Sequence, residues 1–187
     1  MIGLSIVRGL QLLFSVIVLA LSITAVKWQV YGSAPASSGY NSFAGAWATL
    51  FSLIGFVAVF VSSVPGLIVA ALDGLTFLIL LAGGIAYAVQ LRGITCSNPS
   101  AILDNADRYT LVNGGSTPFV DSNGNSFTLY GVPSLSDGSP NLDAVKSRCN
   151  TVVADDVFIF FAAITALAAA ALVFVAHRRG GTRHSAV

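Results

Sequence analysis

Asp73 is the residue most in need of a chemical explanation, because it is the one charge in the apolar stretch from Pro65 to Val89. On a helix rising about 1.5 Å per residue it lies roughly 12 Å from the start of that stretch. A carboxylate at such a depth must face other protein, take up a proton or meet a cation. Arg8, near the start of the first apolar run, has a similar depth, so the expected partner is an Arg8–Asp73 intramembrane charge pair. A proton or ion relay would need a second carboxylate or a histidine at membrane depth, and the sequence supplies neither. Structural pairing is the favoured reading.

The other groups able to do chemistry are scattered. His177 and His184 both belong to the C-terminal tail, and there is no Gly-x-Ser-x-Gly, His-Glu-x-x-His or phosphate-binding loop. No catalytic residue, cofactor or metal site is expected, since two cysteines without a nearby histidine are too few for structural zinc. Arg92, Asp155 and Asp156 flank apolar runs and could form an outer-face charge group; acids there also suit a helix N-terminus. Simple snorkelling of these side chains to the interface is the competing reading.

These groups have to be positioned by apolar elements. Of the 187 residues, 55% are hydrophobic and only 9% charged, far below the roughly 25% usual in soluble domains. A net charge of +1 without a basic stripe excludes a nucleic-acid partner. All eight acids are Asp, so Glu–Lys support of solvated helices is missing and apolar packing must hold the elements together. The expected fold class is an all-α membrane protein, a single domain over 1–187. Its four transmembrane helices are expected over about 5–27, 44–62, 65–91 and 154–178, each close to the roughly 20 residues that span a bilayer. Ser22 to Ala25 also resembles a signal-peptide cleavage site, but the first run is longer than a usual signal core. Ser62-Ser63-Val64-Pro65-Gly66 allows only a tight turn between the second and third helices.

Short basic flanks set orientation. Arg8, Arg178, Arg179 and Arg183 put both termini, including the tail 179–187, in the cytoplasm, with Lys27 the main contrary charge. Two loops then face outward, and the longer, about 92–153, holds both cysteines. A Cys96–Cys149 disulfide would tie its feet together, worth roughly 4 kcal/mol in the loop-entropy model; two buried free thiols are the alternative. Within this loop, Phe119-Val120 and Ser126 to Tyr130 read as a small β-hairpin around Asn123-Gly124. Asn98-Pro99-Ser100 misses the glycosylation pattern because of its proline.

Small residues mark the packing seams. Ala162, Ala166 and Ala170 recur every fourth residue, Ala70 and Gly74 repeat that spacing, and Gly83-Gly84 follow on the same helix. They suit internal packing or self-association.

On these residues the chain resembles the fungal non-classical export proteins, a family of MARVEL-domain tetraspan proteins. The resemblance is carried by Ser5-Ile6-Val7-Arg8, by the block from Pro65 to Asn98 with Leu72-Asp73, Phe77, Gly83, Arg92 and Cys96-Ser97-Asn98, and by Ser147-Arg148-Cys149. It implies an eisosome-associated plasma-membrane organiser linked to sphingolipids and to export without a signal peptide, with membrane lipids and a second copy or a partner membrane protein as associates. The long Gly-, Ser- and Asn-rich loop departs from the compact loop of that family. Claudins are a less suitable match, because their cysteine pair lies in the first outer loop, which here has none. The alternative function is an accessory subunit that stabilises a larger membrane enzyme or transporter.

Overall fold

Four apolar helices form a closed ring in the computed structural model, which describes residues 2–59 and 65–181; the side chains of Ile2, His177 and Arg179 lie outside the described set. In chain order the elements are α1 (Ile2–Lys27), α2 (Ala36–Ala58), α3 (Gly66–Gln90), the short α4 (Pro99–Asp104), β1 (Ser116–Val120), β2 (Ser126–Tyr130) and α5 (Leu142–Gly181). Helix α1 packs on α2 and α5, and α3 packs on α2 and α5, whereas the α1 and α3 backbones do not meet. Four stretches are long and apolar enough to cross a membrane: Gly3–Lys27, Ala36–Ala58, Gly66–Gln90 and Leu142–Ala176. Their outer faces carry large apolar side chains such as Leu13, Leu50, Leu78 and Ile164, as expected where the surrounding solvent is lipid.

Small residues let the helices approach. A Cβ on Gly45 would lie 2.8 Å from the Leu19 backbone, and one on Gly84 would lie 3.0 Å from the Phe160 ring. Gly83 is closed over by Asn41. Ala162 and Ala166 are fully buried within the ring.

Two helices start earlier than hydropathy suggests. Helix α2 begins at Ala36 rather than near residue 44, because its polar first turns find partners inside the bundle. Ser37 Oγ donates to Gln90 Oε1 at 2.8 Å, Tyr87 Oη donates to Ser38 Oγ at 3.2 Å, and Asn41 Nδ2 donates to the Gly83 carbonyl at 3.4 Å. Helix α5 begins at Leu142 rather than near 154, with the Asn141 side chain accepting the Ala144 N–H at 3.0 Å as an N-cap. Its added turns stand above the apolar span and bury Val145, Arg148, Cys149 and Val152.

The connection from α3 to α5 folds down onto those turns. Ile102, Tyr109, Leu111 and Val112 join Val145 and Val152 in an apolar cluster continuous with the bundle core. The hairpin pairs β1 with β2 antiparallel, Phe119 opposite Phe127 with ring centroids 4.9 Å apart. Its loop is the five residues between Val120 and Ser126, as the sequence places them. Asp121 Oδ1 accepts the N–H groups of Asn123 and Asn125, both at 2.8 Å, and Gly124 takes a φ of +85°. The expected turn over 62–64 lies outside the described residues.

Candidate functional site

A buried charge cluster lies at the end of the bundle where α1 and α3 begin. Arg8 is fully buried and its Nη1 donates to Asp73 Oδ1 at 2.6 Å and to Gln11 Oε1 at 2.9 Å. Gln11 Nε2 also donates to Asp73 Oδ1, at 3.0 Å. This ion pair crosses the diagonal of the ring, which only long side chains can span. It is the only salt bridge among the described residues. Gly55 supplies the room: a Cβ there would lie 2.8 Å from Arg8 Nη1 and 2.9 Å from Cζ. A buried ion pair of this kind costs desolvation for each partner and is sound only while both remain.

At the opposite end, the acids and Arg92 are not brought together. Asp155 is fully buried and accepts from Ser22 Oγ at 2.6 Å, a link between α5 and α1. Asp156 is half-buried, and Arg92 is exposed on the turn after α3, where its carbonyl accepts from Arg108 Nη2 at 3.1 Å. The outer charge group of the sequence reading is therefore not formed: the helical register turns Asp155 inward to Ser22, and Arg92 stays in the wet layer. Cys96 and Cys149 form a disulfide that joins the loop after α3 to the first third of α5.

Arg148 carries more of the loop than its place in the sequence suggests. Buried to 7% exposure, it donates from Nη1 to the carbonyls of Gly131 (3.0 Å) and Val112 (3.3 Å), and its guanidinium sits 5.6 Å from the Trp28 ring centroid. Three segments meet there. Gly114, at φ +73°, brings its carbonyl between the N–H groups of Val30 and Tyr31, so the chain between α1 and α2 is stitched to that between α3 and α5. The nearest signal in the sequence was the position of Arg148 beside Cys149.

The remaining small residues divide by surroundings. Gly74 has open space where a Cβ would be, while Ala70 and Ala170 line an apolar hollow of about 370 Å³ between α3 and α5, with Leu67, Leu167 and Phe174. Arg178 is exposed and lies 4.6 Å from the Phe174 ring centroid. The rest of the basic tail, with Arg183 and His184, lies outside the described residues. No group of three or more potential metal ligands occurs among the described residues.

The family model of the MARVEL membrane-associating domain matches residues 2–172. The chain belongs to the MARVEL family. Neither curated proteins nor solved structures gave a match. The match takes in all four spans as far as Leu172, the Arg8–Asp73 pair and the disulfide, so this MARVEL protein is a multi-pass, membrane-associating tetraspan.

Proposed function

We propose that this MARVEL protein organises lipid and protein in the plasma membrane by self-association, with both termini in the cytoplasm, and supports export without a signal peptide. The observation that carries the reading is how its polar groups are used. Arg8, Gln11 and Asp73 are tied to one another across the ring through Arg8 Nη1 and Asp73 Oδ1, while the outward faces of the helices remain apolar. These groups, like the buried Ser22–Asp155 and Tyr87–Ser38 pairs, are hydrogen-bonded from helix to helix, which suits packing rather than a conduction path. The resemblance to the fungal non-classical export proteins adds the plasma membrane, sphingolipid-linked microdomains and export. The disulfide supports an extracytoplasmic loop, because such bonds persist in oxidising compartments.

The deciding experiment is native mass spectrometry of protein released from its own membrane in detergent-free lipid particles, reading subunit mass and retained lipid together. Homo-oligomers that carry selected lipids are expected. A fixed complex with one larger, unrelated polypeptide would replace this reading with that of an accessory subunit.

A further inference from the structure

Arg8 uses only half of its guanidinium. Nη1 serves Asp73 and Gln11, while Nε and Nη2 are buried without a hydrogen-bond partner. These two N–H groups form one edge of the planar fork, the edge that receives two oxygens of a carboxylate or phosphate side by side. Leaving them empty in a buried site is costly, since each unsatisfied donor loses its hydration without replacement.

Arg8 lines a cavity of about 120 Å³ at the end of the bundle opposite the disulfide. Its other walls are Leu4 of α1, Gly55, Ala58 and Val59 at the end of α2, Gly66 and Val69 of α3, and Val173 of α5. Gly66 and Val69 belong to the first turn of a 25-residue helix that has no acid there, so the positive end of its dipole faces the same space. Asp73 is not among the walls. The cavity thus borders the arginine that carries the free donor edge and the N-terminus of α3, with the C-terminal turn of α2 alongside and apolar side chains making up the rest of its walls. A fully hydrated free anion gains little from such walls; an anion carried on a lipid at the membrane surface does not have to leave its apolar surroundings.

We propose that this cavity binds the phosphate oxyanion of a membrane lipid head group, held side-on by Nε and Nη2 of Arg8 at the N-terminus of α3. Asp73 keeps its place on Nη1, so its carboxylate orients the fork and the phosphate takes the free edge. The proposal deepens the lipid-association part of the function proposed above by naming the chemistry of the lipid.

The test uses the full chain in mild detergent, titrated with phosphatidic acid, with phosphatidylcholine or with inorganic phosphate, and read by native mass spectrometry and thermal shift. Wild type is expected to retain phosphatidic acid at least tenfold more tightly than phosphatidylcholine. Arg8→Lys keeps a cation for Asp73 but loses the planar fork, and Ala58→Leu fills the cavity while leaving Arg8, Gln11 and Asp73 unsubstituted. Both are expected to lose that preference at least tenfold, Ala58→Leu with its unliganded melting temperature unchanged. Equal retention of phosphatidic acid by wild type and Ala58→Leu would overturn the site. Saturation by millimolar inorganic phosphate, with displacement of the lipid, would overturn the lipid as the source of the phosphate. Persistence of homo-oligomers in an Ala58→Leu protein stripped of phosphatidic acid separates this site from the organising role, which would stand without it.

Discussion

Two arginines are withdrawn from solvent in this protein and held in opposite ways. Arg8, between the helices, has a carboxylate for a partner; Arg148, above them, has two backbone carbonyls and the face of an indole. Among apolar walls nothing else can offset a full positive charge, so a counter-ion must be brought across the ring from α3. In the outer layer, carbonyl dipoles and the nearby wet surface suffice. The difference teaches that one residue type does two jobs here: Arg8 fixes which helices lie diagonally, and Arg148 fixes where irregular chain lies on top of them.

The comparison can be broken most forcefully at Asp73. Asp73→Ala leaves a buried unpaired guanidinium and is expected to cost about 3–5 kcal/mol, read as thermal unfolding in lipid particles. Replacing both partners, Arg8→Met with Asp73→Leu, should recover most of that loss. If the single variant melts like wild type, the pair is not what holds α1 to α3. Next comes the outer cross-link: Cys96→Ser is expected to cost about 2–5 kcal/mol and to open the loop to protease before the helices. Arg148→Met removes two charge-assisted hydrogen bonds, for an expected loss of about 1.5–3 kcal/mol, with faster hydrogen exchange at Val30, Tyr31 and Gly131 and unchanged exchange in α1. A spread of that effect into α1 would merge the two regions that the arginines divide.

The smallest effect belongs to the hairpin. Hydrogen bonds from the backbone and side chain of Asn125 hold the Asp121 carboxyl below its ordinary value of 3.8. Because the folded form binds its proton more weakly than the unfolded form, its contribution is present above that ordinary value and fades as pH falls through the folded one. Amide exchange at Asn123 and Asn125, corrected for intrinsic rates, should therefore quicken below pH 4 in wild type and be insensitive to pH in Asp121→Asn.

Much of this was legible from the chain. Long apolar runs have one solution in a bilayer, so four spans could be read from composition, and the depth of Asp73 pointed across to Arg8. The structure adds Gln11, which reads in sequence as a polar flank and is instead the third member of the cluster. Hydropathy also misjudged Ser37, Ser38 and Asn41, whose side chains look like loop until Gln90, Tyr87 and Gly83 are known to receive them. The limits of α5 were hidden for a related reason: residues 142–153 are amphipathic against a cap that exists only once the loop has folded. Arg92 and Asp155 failed to pair because proximity along the membrane normal says nothing about which way a helix face is turned.

The disulfide has a mechanical consequence. It clamps the outer end of α5 to the chain just beyond α3, so whatever relative tilt these two helices undergo has its fulcrum there. At 1.5 Å per residue the start of α3 lies about 36 Å from that fulcrum, and a tilt of about 5° displaces it by about 3 Å. Leverage therefore concentrates any such tilt at the far end of the bundle, around Gly66 and Val173.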